Sequence, residues 1–225
     1  MENNILSKKE IEGALCDVRK AHRLLYQYQK RVIDIVYYIR EKFKMPEFAG
    51  VKRFSEPIKK TLSLKDEYKE ANLKVFKDMW GWDFLYSYEF EFHLGSNILQ
   101  KKQYSISVIQ VSDSGYYTSN TSNKTKTNIS SFEDVESSST SLILVCETID
   151  NKKNASYLWE VDEAIEILLT GKGLYEKNSD SDNYFIAIKY DLAEFSNQES
   201  TDKVIEKFSK YIEEKTGVRL LENKS

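Results

Sequence analysis

The chain of 225 residues is poor in the residues that stiffen or staple a fold: two Pro, eight Gly, two Cys and two His. Two cysteines, Cys16 and Cys146, form neither a disulfide framework nor a metal-ligand spacing, and each reads as a small apolar packing residue. Eight scattered glycines compose no phosphate-cradling loop, which removes the usual nucleotide-binding folds. No apolar run approaches the roughly 20 residues that span a bilayer; the longest, such as Leu142 to Val145, suit buried strands. Met1 to Glu10 holds no apolar stretch of the secretory kind, so a cytoplasmic protein with no membrane partner is expected.

Aromatic residues, by contrast, are plentiful at 13%, with 15 Tyr, and exclude a disordered chain. Heavy use of Lys, Asn, Ile and Tyr fits an AT-rich bacterial or phage genome, and a component of a defence or mobile-element system is compatible with it. The residues carry no motif of a known family.

Ser7 to Lys44 reads as one helix about 57 Å long. Its heptad a positions are Ile11, Val18, Leu25, Val32 and Ile39, and its d positions are Ala14, Ala21, Tyr28, Ile35 and Lys42. A second apolar stripe at Leu15, Val36 and Phe43 widens the face beyond a two-strand seam. Both prolines fall between Met45 and Pro57 and end the helix. Leu64, Tyr68, Ala71, Val75 and Met79 predict a second helix over Pro57 to Trp80, returning along the first as a hairpin.

Beyond Gly81 the period becomes two. Phe84 to Leu94 is a strand with Glu89, Glu91 and His93 on one face, and Tyr104 to Val111 is its partner. The expected register sets Phe92 opposite Ile106, Phe90 opposite Val108 and Glu91 opposite Ser107. Ser112 to Ser139 reads as a long exposed excursion anchored by Ile129, Phe132 and Val135. Two strands buried on both faces, Ser141 to Ile149 and Asn183 to Leu192, flank a short helix over Val161 to Leu169, and a last helix covers Glu199 to Thr216. The expected fold is α+β: a long N-terminal helical hairpin (residues 1–80) packed on a mostly antiparallel sheet of four to five strands (residues 81–225), with further C-terminal helices. The two parts could equally form one continuous domain.

Charge is uneven. Residues 1–62 hold 14 Lys/Arg against 8 Asp/Glu, while residues 63–225 hold 19 against 28. Arg19, Lys20, Arg23 and Lys30 lie on the helix face opposite the seam, a solvated face or an electrostatic footprint. Arg19, Arg23, Lys30, Tyr37 and the pair Trp80 and Trp82 are therefore the candidate partner-binding residues. Glu89, Glu91 and His93 are weak metal or acid-base candidates, because ligation needs three or four converging donors and only two histidines exist. No cofactor is expected. The leading expectation is an interaction or regulatory protein that self-associates or docks a partner through its long helix. The alternatives are an accessory nucleic-acid binder and a small metal-dependent hydrolase or nuclease.

Overall fold

A computed structural model of the protein describes residues 7–53, 73–74, 88–99, 102–126, 128–150, 160–178 and 183–221. Helix α1 (Lys8–Lys42) opens on a reciprocal cap: the Glu10 amide donates to Ser7 Oγ at 3.3 Å, and the Ser7 amide donates to Glu10 Oε2 at 2.7 Å. It closes at Phe43, and Lys44 turns the chain out with a left-handed φ of 51° just before Pro46.

The described residues form a sheet of seven strands, one of only two residues, where four to five were expected. The strands are β1 (Ala49–Lys52), β2 (Leu73–Lys74), β3 (Glu89–Leu99), β4 (Lys102–Val111), β5 (Ser141–Asp150), β6 (Leu174–Asn178) and β7 (Tyr184–Asp191). They lie in the order β2-β1-β3-β4-β5-β7-β6, and every neighbouring pair is antiparallel. The helix expected over Pro57 to Trp80 falls mainly outside the described residues. Its two described residues, Leu73–Lys74, are strand, bonded to the edge of β1.

Side-chain alternation splits the core in two. On one face Phe90, Phe92, Leu94, Ile106, Val108, Leu144, Cys146 and Ile186 meet Val32, Ile35, Val36 and Ile39 of α1 and Val204, Ile205, Phe208 and Ile212 of α4 (Gln198–Thr216). On the other, Ile109, Val111, Ile143, Val145, Phe185 and Ala187 pack on Val161, Ala164, Ile165, Leu168 and Leu169 of α3 (Val161–Leu169). The result is three layers, with β5 buried on both faces as expected. The Tyr38 hydroxyl donates to Asp202 Oδ1 at 2.8 Å and Arg31 Nη2 donates to the Phe195 carbonyl at 2.6 Å, so α4 and the turn before it hold the second half of α1.

The β3–β4 register is two residues from expectation. Phe92 faces Val108, Phe90 faces Gln110, Glu91 faces Ile109 and His93 faces Ser107. The strand runs on to Leu99, and a one-residue shift between His93 and Gly95 bulges it at Leu94. A displacement of two leaves every side chain on its expected face. Gly95 has φ of 96°, which the bulge requires. At Gly50 a Cβ would lie 2.2 Å from the Phe90 ring, so that ring rests directly on the β1 backbone.

The excursion before β5 is more ordered than its composition suggests. It forms a short helix, α2 (Gly115–Thr118), and two turns of 3-10 helix, Ile129–Ser131 and Val135–Ser137. Of the expected anchors, Ile129 and Val135 are each 80% exposed, and only Phe132 packs, edge-on to Tyr88 and Tyr116. Hydroxyls anchor the rest. Ser119 Oγ donates to the Ser131 carbonyl at 2.7 Å, and the Ser139 amide donates to Ser114 Oγ at 2.9 Å.

Candidate functional site

Two places bring chemistry-bearing or partner-seeking residues together. The first is the leading half of α1. Burial of that helix begins at Gln29, and everything before it is exposed or half-exposed. Ile11, Leu15, Val18, Leu24 and Leu25 are 45%, 51%, 50%, 72% and 38% exposed. The boundary is fixed by a polar knot: Gln110 Nε2, on β4, donates to Gln29 Oε1 at 3.0 Å and to the Tyr28 hydroxyl at 3.1 Å. Arg19 and Arg23 are exposed on this half of the helix, and Lys30 is exposed just past it. Tyr37 is elsewhere: it is half-buried, edge-on to Phe48 at 5.8 Å, with the Arg40 guanidinium 5.4 Å from its ring centre. It belongs to the packed body. Trp80 and Trp82 lie outside the described residues.

The second place is the polar row of β3. Glu89, Glu91 and His93 share the face that looks toward α3, and both carboxylates are only 2% exposed. Arg53, just past β1, grips Glu91 through Nε at 2.7 Å and through Nη2, and its Nη1 lies 3.6 Å from Asp162 on α3. Ser107 Oγ donates to Glu91 Oε1 at 2.9 Å and lies 3.2 Å from His93 Nδ1, whose Nε2 is 4.0 Å from Glu47. Both Glu91 oxygens are thereby engaged. Among the described residues no group of three or more His, Cys, Asp and Glu is placed to hold a metal ion.

Glu89 differs from its neighbour. The Tyr117 hydroxyl of α2 donates to it, yet its Oε1 has no hydrogen-bond partner among the described residues. Burial pushes its carboxyl up to about 7, against the Tyr117 hydrogen bond and the Lys126 charge, which pull it down. Burial and the adjacent carboxylate push the Tyr117 phenol up in turn. The arrangement can hold and release one proton near neutrality inside a closed wall. Ser107 is expected beside Glu91 from the strand alternation, whereas Arg53 and Tyr117 carry no signal in the sequence. Arg53 is separated from Glu91 by 38 positions, and no local pattern links them.

Among the described residues no helix is long and apolar enough to cross a membrane. No curated protein and no solved structure matches the chain. The model of one family, PM0109, matches residues 8–219, which run from the first residue of α1 past the end of α4. The chain belongs to the PM0109 family.

Proposed function

We propose that the protein is an interaction protein that docks through residues 8–28 of α1. One observation carries this reading: the apolar stripe Ile11, Leu15, Val18 and Leu25 keeps helical spacing yet is 38% to 51% exposed. Single exposed aliphatic residues are ordinary, but a row repeating every three or four residues along one helix is the form of a docking face. An isolated helix of this length is marginal in water, so a partner seated on the stripe would supply the packing that the sheet gives the second half.

The test compares the wild-type chain with Val18→Glu/Leu25→Glu by light scattering and hydrogen exchange, alone and with candidate partners. The reading expects an assembly that protects the 8–28 amides in the wild type and is lost in the variant. A chain that gains no protection there under any condition, its own high concentration included, ends it.

A second reading uses the cations of the same helix. Arg19, Lys20, Arg23 and Lys30 follow one another with no intervening acid, a suitable spacing for phosphates. It expects nucleic-acid binding that weakens steeply with salt, and absence of binding at low salt ends it.

A further inference from the structure

We infer that the excursion between β4 and β5 is a pH-gated flap, and that loss of the Glu89 proton releases α2 from the corner where β3 meets α3. The inference is independent of the docking role proposed for α1, which packs on the opposite face of the sheet.

Construction gives the first argument. The flap closes on itself at its neck: Thr140 Oγ1 donates to the Ser112 carbonyl at 2.9 Å, and the Ser114 amide donates to the Ser139 carbonyl at 3.0 Å. Beyond the neck its turns are held by polar bonds, such as the Glu133 amide to the Gly115 carbonyl at 2.9 Å and Lys124 Nζ to the Tyr117 carbonyl at 3.0 Å. It has little apolar interior of its own, since Ile129 and Val135 are 80% exposed. Its seat on the body supplies the rest. Phe132 lies edge-on to Tyr88 at 6.1 Å, and Tyr117 packs against the apolar cluster of α3 while its hydroxyl donates to Glu89. Such a segment opens as a local unit, and the neck is where opening stops.

The surroundings of Glu89 give the second. With the flap seated, this carboxyl is 2% exposed, Tyr117 donates to it, and its Oε1 has no hydrogen-bond partner among the described residues. From α3 it faces the like charge of Asp162, and from the end of β1 it faces Arg53, whose guanidinium already grips Glu91. From the flap it faces Lys126, and its neighbours on β3 are Tyr88 and Glu91. A neutral acid suits this place. A carboxylate there lacks the donors that a buried anion needs.

The direction of the response follows from these two arguments. Burial holds the seated carboxyl up to about 7, while an open flap returns it to water and to a value near 4.3. The seated form therefore keeps a proton that the open form releases, so opening grows as pH rises between those values and levels off above. Tyr117 stays a donor throughout, because burial and the adjacent carboxylate push its phenol up. Opening bares the Glu89 carboxylate beside Asp162, so the surface that appears at higher pH is acidic.

Hydrogen exchange on the full chain, with each rate divided by the chemical rate at that pH, tests this. The amides of Thr118, Ser119 and Glu133 report on the flap, and those of the β4–β5 ladder report on the body. The flap amides should open more readily than the ladder at every pH, and their opening should rise on the order of 50-fold between pH 5 and pH 8. Glu89→Gln should hold the flap at its low-pH opening throughout. Flap amides that share the ladder's opening at every pH overturn the inference, because the flap then opens only with the whole fold. A flap opening that ignores pH, or one that still rises in Glu89→Gln, overturns it too. Should Glu89→Gln fail to fold, Tyr117→Phe decides: loss of its hydroxyl should raise opening at low pH and move the plateau to higher pH, and an unmoved plateau rejects Glu89 as the trigger.

Discussion

Gln29 of α1 and Gln110 of β4 hydrogen-bond at 3.0 Å, each about 1% exposed or less, and this contact marks where the long helix stops being packed. The same Gln110 Nε2 reaches the Tyr28 hydroxyl at 3.1 Å and Ser112 Oγ at 3.0 Å. Gln110→Leu removes the shared donor and strands polar atoms in a closed interface, at a cost of about 1–3 kcal/mol. Gln29→Leu/Gln110→Leu should recover part of that loss, because the partner amide is removed too. Urea denaturation of the single and double variants measures both.

The two halves of α1 predict opposite responses to truncation. Ile39 is fully buried, and Ile39→Ala should cost about 2–5 kcal/mol. Val18 is 50% exposed, and Val18→Ala should leave the stability of the isolated chain within about 0.5 kcal/mol. Thermal unfolding at low protein concentration, where association does not contribute, makes the comparison.

Arg53 neutralises a carboxylate that has almost no contact with water. Arg53→Met leaves Glu91, 2% exposed, without its cation, and should cost about 3–5 kcal/mol. Glu91→Gln in the same chain should restore part of it, since Ser107 can still donate to the amide oxygen. Denaturation midpoints of the two variants test the pair.

Glu89 makes stability depend on pH. Its carboxyl titrates at about 7 in the fold and near 4.3 in the unfolded chain, so between those values the folded state keeps a proton that the unfolded state has released. Its contribution is full below the lower value and falls as pH rises to about 7, by on the order of 3 kcal/mol, and is flat above. Glu89→Gln should abolish that slope and raise the melting temperature at pH 8. Tyr117→Phe removes the donor that favours the carboxylate and should move the midpoint higher still. Melting temperatures between pH 4 and pH 8 read both effects.

Elements whose burial follows one period along the chain are legible in the residues alone. Val161 to Leu169, Val204 to Ile212 and the doubly buried Leu142 to Val145 announce themselves, and the second half of α1 does so through Val32, Ile35 and Ile39. Strand β6 is invisible because Tyr175 is its one buried residue, which leaves no alternation to read. Strand β1 is equally silent, since Gly50 is there to let Phe90 lie against its backbone. The bulge at Leu94 hides behind an apolar residue that continues the even series and shifts the register by one residue, while the two-residue displacement stems from the pairing of Leu99 with Lys102, which nothing in the alternation fixes. The exposure of Ile11 and Val18 is not legible either: a heptad seam looks the same whether its cover is the chain's own sheet or another molecule.

Strand β6 forms one end of the sheet, and two of its side chains, Glu176 and Lys177, are charged and held. Glu176 accepts from the Tyr211 hydroxyl at 2.8 Å and lies 3.0 Å from Lys215 Nζ, while Lys177 lies 2.5 Å from Glu160. A foreign strand adding at that edge would have to unseat these pairs and desolvate their charges. Fibril-like growth is thereby opposed at this border, where strand addition has no natural stopping point. The docking proposed for α1 would use one helix face, so the charged border opposes open-ended aggregation without obstructing that contact.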